Sequence, residues 1–260
     1  MSAAARRRQL AEALARAAGS LQRERYEHVH EVRTKSASID LVTEVDQACE
    51  TLILEALRAQ CPTDAVLAEE GGGDDRADAA WRWVIDPLDG TMNYAHGYPR
   101  FCVSIGVEHD GIATLGVVYD PLLDEMFAAT RGEGASLNGR PLRVSNEDTL
   151  GRALLATGFA YDVHHSRDDN LDHFARFVKR ARGIRRDGSA ALDLCYVAAG
   201  RFDAYWELKL QPWDAAAGAL IVCEAGGRVS DFSDALAALP REIVASNGRL
   251  HGAMLEVLRG

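Results

Sequence analysis

The chain has 260 residues, 47% of them apolar, and a formal net charge of −10. That length and apolar content can bury a sizeable core, as one domain or two closely packed lobes. The acidic balance argues against a general nucleic-acid binder, which needs a basic surface, and no uncharged apolar run reaches membrane-spanning length.

Leu10, Leu14, Ala17, Ala18 and Leu21 recur at helical spacing and predict an N-terminal amphipathic helix that ends in the charged residues after Ser20. Arg6-Arg7-Arg8 opens no signal peptide, because Glu12 and Arg16 interrupt the segment that follows. Thr43 with Asp46 resembles a capping box, starting a helix expected to turn Ala48, Leu52, Ala56 and Leu57 inward. Strand-like runs follow at Ala65 to Ala68, Trp81 to Ile85, Phe101 to Glu108, Ile112 to Tyr119 and Glu125 to Ala128, with Asp110-Gly111 as a hairpin signal. Beyond residues 146–151 the pattern alternates. Strands are expected at 153–157, 202–206 and 242–246, and helices at about 169–182, 189–199, 213–225 and 249–258. This predicts a single domain over 1–260, with an α+β lobe to about residue 147 and an α/β lobe over about 148–260.

The stretch Trp83 to Tyr94 carries the strongest chemical signal. An apolar strand runs into Asp86-Pro87-Leu88-Asp89-Gly90-Thr91, and paired carboxylates at a strand end suit a hard cation such as Mg²⁺. Gly90 and Thr91 follow at a helix start, where free backbone N–H groups favour phosphate. A surface turn is the plainer reading of the same residues. Glu69-Glu70 leave the strand Ala65 to Ala68 for a glycine loop, as one inward ligand and one supporting partner or as a solvated acidic loop. Asp214, just inside a helix start marked by Pro212 and Trp213, suits a cap and a metal ligand equally. The small residues after it predict a helix that packs closely against a neighbour. His96 and His164-His165 read as surface, and Trp81, Trp83 and Trp213 as packing residues. The five cysteines form no CxxC pair, so buried free thiols and a cytoplasmic setting are expected.

Lys35 to Asp46, Ala68-Glu69-Glu70, Asp86 to Asn93, Gly188-Ser189-Ala190-Ala191 and Trp213 to Gly218 with Glu224-Ala225-Gly226-Gly227 fall in order along nearly the whole chain. Together they resemble the inositol monophosphatase family, Mg²⁺-dependent and lithium-sensitive phosphatases that share a layered α-β-α-β-α sugar-phosphatase fold with fructose-1,6-bisphosphatase. The resemblance implies two to three Mg²⁺ ions: Glu69, Asp86 and the Leu88 carbonyl at the first, Asp86, Asp89 and Asp214 at the second, and Glu69 beside a third. It implies that Thr91, paired with Asp46, orients and deprotonates the attacking water, that the Gly90 and Thr91 N–H groups hold phosphate oxygens, and that Lys35 and Glu70 lie in the surrounding loop. Gly188, Ser189, Ala190 and Glu207 would meet the alcohol, Glu207 accepting from polyol hydroxyls.

The expected substrate is a small phosphate monoester, myo-inositol 1-phosphate first, with a homodimer and with neither membrane nor nucleic acid as partner. Ala68, Tyr94 and Asp187 depart from the family's pattern, and Asp187 adds an acid near the substrate loop that would favour a cationic alcohol such as histidinol phosphate. A 3′-phosphoadenosine 5′-phosphate phosphatase is a further alternative. From a different class, the same fold could serve as a module that binds RNA or a transcription factor.

Overall fold

The computed structural model describes residues 2–28, 32–35, 40–235 and 242–260, so four residues of the matched stretch Lys35 to Asp46, 36–39, lie outside the description. Helix α1 (Ala3–Arg25) begins at Ser2, whose side chain accepts from the Ala5 N–H, and runs past Ser20 to Arg25. Its buried face is Ala11, Leu14, Ala15, Ala18 and Gln22; Ala17 is exposed, so the face is rotated from the predicted one. A two-stranded antiparallel ribbon, β1 (Val32–Thr34) and β2 (Leu41–Thr43), leads into α2 (Glu44–Gln60). The capping box of Thr43 and Asp46 is formed. The buried side of α2 carries Val45, Cys49, Ile53 and Leu57, whereas Ala48, Leu52 and Ala56 lie at its margin.

A seven-stranded sheet is built from β3 (Ala65–Ala68), β4 (Trp81–Asp89), β5 (Cys102–His109), β6 (Ile112–Asp120), β7 (Glu125–Thr130), β8 (Gly134–Leu137) and β9 (Arg140–Pro141), in that spatial order, with the short helix α3 (Thr91–Ala95) after β4. Only β3 and β4 run parallel. The β5–β6 hairpin turns at Asp110 and Gly111, both at positive φ, as a two-residue turn matched to strand twist requires.

The second sheet contains β10 (Leu154–Thr157), β11 (Gly183–Arg185), β12 (Ala204–Leu208), β13 (Arg228–Ser230) and β14 (Glu242–Ser246), in the order β11-β10-β12-β14-β13. Its helices are α4 (Leu171–Val178), α5 (Ala190–Ala198), α6 (Pro212–Glu224) and α7 (His251–Arg259). The layers run α1 and α2, first sheet, α5 and α6, second sheet, α4 and α7, and an apolar core fills each side of the sheets. This is the layered α-β-α-β-α arrangement expected from the sequence.

Close packing of α6 is explicit. A Cβ added at Gly116 would stand 2.6 Å from the Ala217 carbonyl oxygen, and one at Gly106 would stand 2.8 Å from the Ala216 Cβ. Side chains at β5 and β6 would therefore push the helix, and the acid at its start, away from the sheet. Among the cysteines, Cys49, Cys102 and Cys195 are buried and Cys61 is partly so, but Cys223 is exposed, against expectation; all five are free thiols. Among the described residues no helix is long and apolar enough to cross a membrane.

Candidate active site

Strand β4 does not stop at Ile85, as its apolar run predicts, but continues to Asp89. Asp86 pairs with Ser104 and Asp89 with Cys102, so three steps on β4 answer two on β5. That extra residue is a bulge, and it reverses the alternation of side chains. Residues three apart on a regular strand point to opposite faces; the bulge lets Asp86 and Asp89 address the same cleft. The chain then turns at Gly90, whose φ is +96° and whose absent Cβ would meet the Arg100 carbonyl at 2.8 Å, and enters α3 at Thr91.

The cleft measures about 230 Å³ and is lined by Glu69, Asp86, Asp89, Thr91 and Asp214, with Lys35 at its side. Asp86 Oδ1 accepts from the Leu88 N–H at 2.9 Å. Asp89 Oδ2 accepts from Ser189 Oγ at 2.5 Å and the Ala191 N–H at 2.9 Å, which ties the first lobe to α5. Asp214 Oδ2 accepts from the Gln211 N–H at 2.7 Å. Asp214 therefore caps α6 and lines the cleft at once. Lys35 Nζ donates to Glu69 Oε1 at 2.8 Å and Glu70 Oε1 at 2.5 Å, while buried Glu50 holds the following loop through the Glu70 and Gly72 N–H groups.

The electrostatics follow from burial. Desolvation raises Asp86 well above the usual carboxylate range, and the negative charges of Glu69, Asp89 and Asp214 raise it further. Asp214 is likewise raised, by burial first and by Asp89 and Glu69 next, against its hydrogen bond from Gln211. Burial also raises Asp89 and Glu69, each opposed by its hydrogen-bond donors. Glu70 is pushed up to about 7, mainly by burial. Burial acts to lower the Lys35 ammonium, but Glu69 and Glu70 outweigh it and hold the group above its ordinary value.

Thr91 Oγ1 lies 2.7 Å from Asp46 Oδ1 and 3.1 Å from the Leu88 carbonyl. The other Asp46 oxygen accepts from the Thr43 N–H at 2.8 Å and from Thr43 Oγ1 at 2.5 Å. One buried carboxylate thus caps α2 and holds the Thr91 hydroxyl. Burial raises Asp46 in spite of these three donors.

A second cavity of about 120 Å³ adjoins the cleft and is lined by Gly188, Ser189, Ala190 and Glu207, as the sequence predicts, together with Tyr161 and Arg186. Glu207 is not a solvent-facing strand end. Tyr205 donates its hydroxyl proton to Glu207 Oε2, and the carboxylate lies against Gly158, where an added Cβ would overlap it. Burial pushes Glu207 up to about 7, against the Tyr205 hydrogen bond and the charge of Arg186.

Two expectations are corrected. Asp187 does not line this cavity: its Oδ2 lies 3.8 Å from Arg100 Nε, and its neighbour Arg186 lines the wall instead. Trp213 lines the acidic cleft, while Trp83 is buried in the core as predicted and Trp81 stacks on His109. His96, His164 and His165 are exposed. Tyr161, Arg186 and Gln211 carry no motif, and the sequence offers no signal for them. Asn93, inside the matched motif, clamps the lobes by donating to the carbonyls of Arg100, Asp187 and Gly188 at 2.7, 2.8 and 3.3 Å.

Among the described residues no three His, Cys, Asp or Glu side chains converge as a finished metal cage, since several of the acids' oxygens are held by the donors just named. The donor chemistry nevertheless fits hard divalent cations: buried carboxylates and one carbonyl face a shared space, and among the described residues that line it Lys35 is the one cation.

Residues 4–260 match the family described as the inositol monophosphatase family. The chain is similar to an inositol-1-monophosphatase of Synechocystis sp., 46% identical over 231 residues that cover 88% of this chain and 80% of that one. It is also similar to Nus factor SuhB of Pseudomonas aeruginosa, 50% identical over 227 residues that cover 85% and 83%. Among solved structures, the inositol monophosphatase from Anabaena (Nostoc) sp. PCC 7120 matches with a TM-score of 0.87 and 40% identity, covering 97% of this chain and 94% of that one.

Proposed function

This chain belongs to the inositol monophosphatase family and is a phosphatase acting on phosphate monoesters, and we propose that its substrate is myo-inositol 1-phosphate, hydrolysed in the presence of Mg²⁺. The observation that carries this reading is the meeting, in one cleft, of Asp40, Glu69, Asp86, Asp89 and Asp214 with a threonine hydroxyl bonded to a further buried carboxylate, Asp46. Glu69, Asp86 and the Leu88 carbonyl would hold one ion, Asp86, Asp89 and Asp214 a second, and Glu69 would assist a third. Bound there, divalent cations would stabilise the negative charge that builds on the attacking and departing oxygens.

The remaining work falls to the chain's own groups. Thr91 Oγ1 can give its proton to Asp46 Oδ1 while accepting one from the attacking water, so the pair orients the water and takes its proton. The raised proton affinity of buried Asp46 suits it to the receiving end. The Gly90 and Thr91 N–H groups hold phosphate oxygens at the start of α3. In the adjoining cavity one Glu207 oxygen is occupied by Tyr205, which leaves the other to accept from a ring hydroxyl.

Asp187 gives histidinol phosphate no support, because it faces Arg100; the cavity wall itself carries both acids, Asp193 and Glu207, and cations, Arg186 and Lys209. Phosphate release from myo-inositol 1-phosphate, histidinol phosphate and 3′-phosphoadenosine 5′-phosphate, compared as kcat/KM with and without Mg²⁺, tests the assignment. Preference for either of the last two would overturn the substrate; no Mg²⁺ dependence would overturn the metal role.

A second role is favoured by the relative named Nus factor SuhB: association with transcription factors by a surface outside the cleft. A catalytically silent Asp89→Asn protein that still binds such factors would support it, and loss of binding in that variant would count against a separate surface. The chain is further read as a cytoplasmic homodimer, which light scattering in solution would check.

A further inference from the structure

The cleft and the alcohol cavity are separate spaces that share four lining residues: Asp89, Asp214, Tyr161 and Gln211. A phosphate monoester whose phosphate lies in the first and whose alcohol lies in the second must pass its ester oxygen through this shared boundary. Two of the four are carboxylates of the acidic cluster. Gln211 is held at the start of α6 by the capping box it forms with Asp214, its N–H on the Asp214 carboxylate and its side chain turned to the first turn of the helix. Tyr161 remains, on the turn that follows β10. It is half-exposed, its hydroxyl has no hydrogen-bond partner among the described residues, and the charges it feels most are those of Glu69, Asp214, Asp40 and Asp86.

We propose that the Tyr161 hydroxyl donates a hydrogen bond to the ester oxygen of the bound substrate, the atom that joins phosphorus to the alcohol. The phenol keeps its proton, and the bond strengthens as negative charge gathers on that oxygen while the phosphorus–oxygen bond breaks. Because the bond strengthens in the transition state, it acts on kcat more than on KM. This rests on the phosphatase reading above and names a residue that reading does not use.

The test compares wild type with Tyr161→Phe, which keeps the ring, on myo-inositol 1-phosphate and on p-nitrophenyl phosphate, whose leaving group needs no donor. Expected is a loss of about tenfold in kcat on the inositol ester, the scale of one hydrogen bond to a charged group. The aryl ester should change less than about threefold, and competitive inhibition by inorganic phosphate should be unchanged. Equal losses on both esters, weaker phosphate inhibition, or no loss at all would overturn the assignment. An inactive wild type would overturn the phosphatase reading instead. Independently of turnover, a crystal of the Asp89→Asn protein with myo-inositol 1-phosphate should place Tyr161 Oη within hydrogen-bond reach of the ester oxygen; a ring turned to solvent would refute it.

Discussion

The acidic cleft and the alcohol cavity share a wall, yet they are assembled in different ways. In the cleft, Asp86, Asp89, Gly90 and Thr91 come from one unbroken stretch of chain. Four buried carboxylates, three lining the cleft and Asp46 behind Thr91, each have one oxygen on a backbone N–H: Asp46 on Thr43, Asp86 on Leu88, Asp89 on Ala191 and Asp214 on Gln211. Three of those four donors lie within three residues in sequence, so the acids are oriented by local backbone geometry. The alcohol cavity instead draws Tyr161, Arg186, Ser189 and Glu207 from separate segments around the second sheet. If the cleft is the reacting centre and the cavity the specificity wall, short-range anchoring fixes the first while long-range assembly lets the second change without disturbing it.

The sharpest way to break this contrast is Asp89→Asn. An amide can still accept from Ser189 and Ala191 through its oxygen but is a poorer ligand for a hard cation. Turnover of every ester should fall on the order of a thousandfold. The metal-free variant should fold with unchanged or higher melting temperature, because one of several mutually repelling buried acids is gone. Near-normal kcat at saturating Mg²⁺ would remove Asp89 from the metal site.

Glu207→Gln probes the other side. Losing a charged acceptor should lower kcat/KM on myo-inositol 1-phosphate by roughly ten- to a hundredfold, with p-nitrophenyl phosphate little affected. Equal losses on the two esters would show that the cleft and the cavity are not separable.

A smaller effect follows from proton binding at the same residue. Burial pushes Glu207 up to about 7, so the ionised carboxylate proposed to accept from the alcohol predominates above that pH and is lost below it. At pH 6 roughly a tenth of such a group is ionised. The ratio of kcat/KM for the inositol ester to that for the aryl ester should therefore rise several-fold between pH 6 and pH 8, and the rise should vanish in Glu207→Gln. A flat ratio in wild type would remove ionised Glu207 from alcohol recognition.

The smallest expected difference separates two salts. Inhibition by LiCl beyond that of NaCl at equal ionic strength should appear on both esters alike if lithium takes the ion site proposed at Asp89 and Asp214, which both esters use. A lithium effect confined to the inositol ester would move the ion to the alcohol side.

The sequence by itself determined the parts of this protein that short-range physics controls. The Thr43–Asp46 cap, the Asp110-Gly111 hairpin and the longer strands and helices are written in neighbouring residues and appear in the fold as expected, whereas the short strands β1, β2, β8, β9, β11 and β13 carry no such signal. The motif residues Asp86 to Thr91 and Asp214 likewise stand together in one cleft. What tertiary structure decided is everything that depends on which way a side chain turns. The bulge that brings Asp86 and Asp89 to one face arises in pairing with β5, a partner strand beyond the motif. The margins of α1 and α2 shifted because the sheet they pack on selects the buried face, and helical periodicity alone leaves it undetermined by about one residue. Asp187 turned to Arg100, Arg186 to the cavity and Trp213 to the cleft, outcomes set by contacts across many tens of residues. Tyr161 stands at the junction of the two spaces because β10 ends there, and local spacing has no means of reporting what lies opposite the end of a strand.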